Sequence, residues 1–101
     1  MKHHLIRYKT KPERADENER LVKAVFQELR DKSLDGVRYM TWRSDDGTFV
    51  HLVETETEAH ADIITGLAAF EAFQDGIRDR CSERPHREEM TVVGHYRMLD
   101  E

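Results

Sequence analysis

The sequence predicts an α+β fold whose elements follow in the order β-α-β-β-α-β, and three observations predict it. Apolar and polar residues alternate in four segments, apolar residues recur at helical spacing in two others, and Pro, Gly and Asp clusters separate them. The chain has 101 residues, 38% apolar and 37% charged, the length of one domain with one modest core. We read 1–101 as a single domain.

The first strand is read over His4–Thr10, where alternation centres on Ile6 and Tyr8, and Lys11-Pro12 ends it. Pro12 suits the first turn of a helix, where its missing N–H costs nothing, and Glu13, Asp16 and Glu17 suit the positive helix end. Leu21, Val22, Val25, Phe26 and Leu29 then share one helical face, so a helix is expected over 12–32, with Gly36 closing the turn after it. Val37–Arg43 and Thr48–Thr55 are rich in β-branched and aromatic residues. Between them Asp45-Asp46-Gly47 suits a three-residue hairpin loop with Gly in the left-handed conformation, which sets Trp42 opposite Val50 and Met40 opposite Leu52. Residues 54–62 are polar and helix-like in composition without an apolar stripe. A second helix is expected over Ala68–Cys81, with Phe70, Phe73, Gln74 and Ile77 inward, although Gly76 lies inside it. Residues 82–89 read as a polar connection, and Met90–Leu99 as the fourth strand. Two crossovers joined by a hairpin give a split, ferredoxin-like sheet in spatial order 4-1-3-2, with both helices on one face.

Alternation divides the strand residues between two faces. Ile6, Tyr8, Met40, Trp42, Val50, Leu52, Val92, Tyr96 and Met98 are expected under the helices. Leu5, Arg7, Val37, Tyr39, Phe49, His51, Val53, Val93, His95 and Arg97 are expected on the open face. That face is too apolar for a solvated antiparallel sheet, so a second copy of the chain is expected to cover it.

Acidic residues number 21 and basic ones 16, a net charge of −5, which argues against nucleic-acid or anionic-membrane partners. The single cysteine excludes an internal disulfide and a cysteine-built metal site. No bilayer-spanning run and no signal peptide are read, so a soluble cytoplasmic domain is expected.

Six histidines raise the question of a metal, but His3 and His4 are adjacent and point to opposite faces of a strand. His51 and His95 are read as flanking Arg7, a cation that would repel one. No metal site is expected. The Arg7–His51–His95 cluster could bind an anionic or enolic oxygen, or serve as a polar cluster fixing dimer register, the reading preferred here. Tyr8, Trp42 and Tyr96 could wall a pocket for an aromatic ligand or form plain core. Asn18, on the apolar side of the first helix, is a solvated edge residue or a pocket donor. Cys81 reads as structural.

On the segments IRYKTKPERADENERLVKAVFQEL (residues 6–29), RYMTWRSDDGTFVHLVETE (38–56) and LAAFEAFQDGI (67–77), the chain resembles the antibiotic biosynthesis monooxygenase-like family. The resemblance implies ferredoxin-like domains paired into a dimeric α/β barrel, and a cofactor-free oxygenase acting on small aromatic, quinol-like or polyphenolic molecules. No catalytic residue carries over by motif; Tyr8, Trp42 and Tyr96 could supply the stacking groups of such a site and Asn18 its donor. Haem-degrading members place an Asn, a Trp and a His where this chain offers Ile6 or Arg7, Glu54 or Thr55, and Gln74, so haem degradation is not implied. The alternative is a non-enzymatic dimeric module that binds a small ligand or a partner.

Overall fold

The structure is a computed structural model, and it describes residues 1–98. Strand β1 (Lys2–Thr10) is followed by a 3-10 turn (Pro12–Arg14) and helix α1 (Ala15–Lys32). Strands β2 (Val37–Arg43) and β3 (Thr48–Thr55) form the hairpin; then come α2 (Glu58–Thr65), α3 (Ala68–Gln74), α4 (Ile77–Arg80) and strand β4 (Cys81–Met90). The sheet order is β2-β3-β1-β4, antiparallel throughout, which is the expected 4-1-3-2 read from the other edge.

The first helix follows from its sequence. Val22 and Val25 are buried, Leu21, Phe26 and Leu29 pack beside them, and the acidic residues Asp16 and Glu17 sit at its positive end. The hairpin loop also holds as read. Ser44 N–H donates to the Thr48 carbonyl at 2.9 Å, and Gly47 adopts φ +89°. The Asp46 carboxylate accepts from the Ser44 hydroxyl and the Thr48 amide, and these bonds hold its pKa far below the usual carboxylate range. Trp42 faces Val50 and Met40 faces Leu52, as expected.

Three expectations are corrected. The second helix is not continuous over 68–81: Asp75 is extended, and Gly76, at φ +75°, starts α4 afresh. Gly tolerates the left-handed conformation that breaks the helix there. A further helix, α2, occupies part of the polar stretch before it.

The fourth strand is Cys81–Met90, the segment read as a connection, not Met90–Leu99. It pairs with β1 alone and is exposed over nearly its whole length, so it is an edge strand, where charge and proline are the usual protection against further pairing. Pro85 falls where the register with β1 shifts between Arg7 and Lys9, a bulge that tolerates its missing N–H. Residues 91–98, with Val92, Val93, Tyr96 and Met98 exposed, form no strand; Leu99 lies outside the described residues.

The third correction concerns the faces of the hairpin. In the observed register Tyr8 lies opposite Phe49, Ile6 opposite His51, and Thr41 opposite His51 on the other side. Directly opposed residues share a face, so Phe49, His51, Val53 and Tyr39 join Ile6 and Tyr8 under the helices. Trp42 and Met40, 46% and 44% exposed, lie on the open side with Leu5, Val50 and Leu52. The core is Tyr8, Phe49, Val22, Val25, Phe73 and Ile77, and Tyr8 stacks on Phe49 with centroids 5.5 Å apart and planes within 7°.

Candidate functional site

A cavity of about 370 Å³ opens between the sheet and helices α2 and α3. Its floor is made by β-strand residues of the helix-covered face, Ile6, Tyr8, Tyr39 and His51, and its wall by Phe70, Phe73 and Ile77. Glu58 and Asp62 of α2 and Arg87 of β4 bring the charge to its lining, with the His4 imidazole beside them. Burial, and then the Arg87 guanidinium, hold the His4 imidazole below its ordinary pKa. A second hollow, beside the C-terminal end of α1, shares Tyr39 but holds no histidine.

On the floor a line of buried polar groups crosses the core. Arg80, 2% exposed, donates from Nε to Asn18 Oδ1 at 3.1 Å and from its two terminal nitrogens to the carbonyls of Asp75 and Phe73. It thereby satisfies carbonyls left over at the end of α3, and its guanidinium lies 5.6 Å from the centroid of the Phe73 ring. Asn18 Nδ2 reaches the Tyr8 hydroxyl at 2.8 Å. That hydroxyl is also 2.8 Å from His51 Nε2, and His51 Nδ1 is 2.8 Å from the Tyr39 hydroxyl and 3.2 Å from Thr41 Oγ1. Among the described residues no buried side-chain nitrogen or oxygen lacks a partner.

Burial sets the charge state of this line. It pushes the His51 imidazole down to about 4, so the ring is neutral at neutral pH. It raises both phenols above their ordinary value, against the opposing hydrogen bond from Asn18 in the case of Tyr8. The site therefore offers a neutral imidazole between two protonated phenols. These three groups can hydrogen-bond a ligand oxygen without carrying charge, the Arg80 guanidinium lying outside the cavity lining, while Phe70 and Phe73 give the wall its aromatic carbon.

Of the expected site residues, the structure brings Tyr8 and Asn18 together and separates the rest. Asn18 is fully buried, so it is no solvated edge residue. Trp42 lies on the opposite side of the sheet, and Tyr96, 77% exposed, lies beyond β4; neither lines the cavity. The expected Arg7–His51–His95 cluster does not form. Arg7 is opposite Val50 on the open face, His51 is under the helices, and His95 follows the last strand. Cys81 packs against the core, and burial raises its thiol. Among the described residues no three His, Cys, Asp or Glu side chains converge as a metal site, and no helix is long and apolar enough to cross a membrane.

Two members of the site escaped the sequence reading. Tyr39 was on the right strand but assigned to the wrong side. Arg80 carries a signal that was available: it falls three residues after Ile77, at helical spacing from that inward residue.

No protein-family model matches the chain, and no curated protein sequence matches it. Solved structures do resemble it. A proposed antibiotic biosynthesis monooxygenase from Caulobacter crescentus superposes with a TM-score of 0.76 at 18% identity, over 92% of this chain and 90% of that one. A Mycobacterium tuberculosis protein gives 0.76 at 16% identity, over 93% and 96%. A proposed antibiotic biosynthesis monooxygenase from Nitrosomonas europaea gives 0.76 at 14%, over 91% and 89%. At these identities the likeness is one of fold, and it covers the ferredoxin-like fold of the single chain that the sequence resemblance implied.

Proposed function

We propose that the chain is a small homodimeric enzyme of the cofactor-independent monooxygenase type, working in the cytoplasm on a quinol-like or polyphenolic substrate. The observation that supports this best is His51: a buried, neutral imidazole held between two phenol hydroxyls on the floor of an aromatic-walled cavity. The cavity volume of about 370 Å³ is that of a small-molecule site. Several of the proteins that share the fold are named as monooxygenases.

In this reading the substrate supplies the electrons. Its enolate or phenolate passes one electron to O₂, and the radical pair combines at carbon. The resulting peroxide loses water, so that one oxygen atom stays as a carbonyl and the other leaves as water with two hydrogens from the substrate. Phe70 and Phe73 hold the ring, the His51–Tyr39 end hydrogen-bonds the ionised oxygen, and the apolar wall keeps water from the intermediate. Oxygen uptake with a panel of anthrones and naphthohydroquinones tests this. Uptake above autoxidation is expected, and its loss by roughly a hundredfold in Tyr39→Phe, the effect of removing one positioned donor. No uptake with any member of the panel overturns the oxygenase.

A specific observation favours a second reading, a ligand-binding module without turnover: both ring nitrogens of His51 are already engaged within the protein. Binding of the same panel by calorimetry, without oxygen uptake, would select it.

The partner in either reading is a second copy. Leu5, Met40, Trp42, Val50 and Leu52 make the open face of the sheet apolar, with Trp42 at 46% exposure, a composition suited to an interface centre. Light scattering is expected to give twice the chain mass of 11.9 kDa. Trp42→Glu is expected to weaken the dimer by about thirtyfold or more, the loss of one interface hot spot. A wild-type monomer at micromolar concentration would overturn the assembly.

A further inference from the structure

The hydrogen-bond line on the cavity floor has a direction, and its far end sets that direction. Arginine can only donate, so the Asn18 atom 3.1 Å from Arg80 Nε is the carbonyl Oδ1, and the amide Nδ2 must donate to the Tyr8 oxygen. The Tyr8 hydroxyl already accepts there, so its own proton goes to the other atom in reach, His51 Nε2. A neutral imidazole carries one ring proton; with Nε2 accepting, that proton is on Nδ1, directed at the nearer of its two neighbours, the Tyr39 oxygen at 2.8 Å, rather than Thr41 Oγ1 at 3.2 Å. The opposite arrangement, with the proton on Nε2, aims two donors at the Tyr8 oxygen. It also leaves the Tyr8 proton without an acceptor at a residue only 2% exposed. Buried polar groups are seldom left so. Among the described residues the Tyr39 hydroxyl has no hydrogen-bond partner besides His51, and Tyr39 lines the cavity.

We propose that Arg80 and Asn18 are positioning residues that lock the His51 proton on Nδ1 and so make the Tyr39 hydroxyl the last donor of a one-way chain, selecting ligands that present an acceptor oxygen, a carbonyl or a phenolate. The selectivity rests on the reading of the cavity as a ligand site; the direction of the chain does not. Neither residue touches the ligand. Arg80, held by the end of α3 and lying by the Phe73 ring, ties the direction of the chain to the helix that walls the cavity.

Asn18→Asp tests the direction while keeping the partner of Arg80. A carboxylate can only accept, so the Tyr8 hydroxyl must donate to it. The Tyr8 oxygen then accepts from His51 Nε2, and Nδ1 accepts from Tyr39. Imidazole ¹⁵N spectra at neutral pH are expected to show the protonated nitrogen of His51 as Nδ1 in the wild type and as Nε2 in Asn18→Asp. A wild-type ring protonated on Nε2 overturns the proposal without any variant, and so does an unchanged tautomer in a folded Asn18→Asp.

Calorimetry with two probes of one size tests the consequence: 1-indanone, which offers only an acceptor, and indole, which offers only a donor. The wild type is expected to prefer 1-indanone by about tenfold, the worth of one hydrogen bond, and Asn18→Asp to lose or invert that preference. A wild type that binds indole as tightly overturns the selectivity. Binding of neither probe overturns the ligand-site reading, and the ¹⁵N spectrum then judges the direction by itself.

Discussion

Phe49→Ala is expected to lower the stability of the chain by about 3–5 kcal/mol, the cost of emptying a buried phenylalanine site. Phe49 is 1% exposed on the central strand β3. It stacks against Tyr8, and the Arg43 guanidinium lies 5.8 Å from its centroid. Little around it can collapse into the gap, because Tyr8 is pinned by hydrogen bonds from both sides. In a domain of this size the loss corresponds to a melting temperature lower by roughly 15 °C or more. Urea unfolding followed by far-UV circular dichroism measures it. A loss under about 1 kcal/mol, the scale of a surface change, would place Phe49 outside the core and return the hairpin to the opposite facing.

The second large effect is a fall in stability with acid that begins at unusually mild pH. The His51 imidazole titrates near 6.5 when unfolded and near 4 in the fold, lowered by burial. Between those values the unfolded chain binds a proton that the native chain refuses, so stability drops as pH falls. The contribution is fully present above about 6.5, and about 3 kcal/mol of it is gone by pH 4. His4, held below its ordinary pKa but less buried, adds a smaller slope of the same sign. Glu17, Glu19 and Glu28 are lowered by their partners and lose their contributions only below the ordinary carboxylate range. Unfolding in urea at pH 7.5, 6, 5 and 4.5 separates the two. His51→Leu is expected to be less stable at neutral pH and nearly flat between 6.5 and 5. A wild type equally stable at 7.5 and 4.5 would mean that His51 meets water.

The site was half legible in the chain for reasons that lie in particular residues. Alternation groups side chains that share a face, and it did place Tyr39, Phe49, His51 and Val53 together. It is silent on which side the helices cover, because period two is symmetric and both faces here carry large apolar residues. Trp42 and Met40 drew the helices to the wrong side of the hairpin in that reading, since size and apolarity fit a core as well as an interface. The last strand was hidden for a different reason. An edge strand with one neighbour does not need an apolar face, so the Glu, Arg and Pro of 83–89 read as loop, while the apolar alternation after Met90 imitated a strand. Tyr96 and His95 left the site with that error.

The sequence alone determined the first helix with its Val22 and Val25 face and the hairpin with Trp42 opposite Val50, because those rest on local periods and turn chemistry, and the general crossover rules gave the sheet order from them. Tertiary structure decided which face of the hairpin is buried, where the edge strand runs, and that Arg80, Asn18, Tyr8, His51 and Tyr39 form one line. Arg80 is 62 positions from Asn18 and His51 is 43 from Tyr8. No local period links residues so far apart; only the packing of helices on the sheet, and the need of each buried polar group for a partner, brings them together.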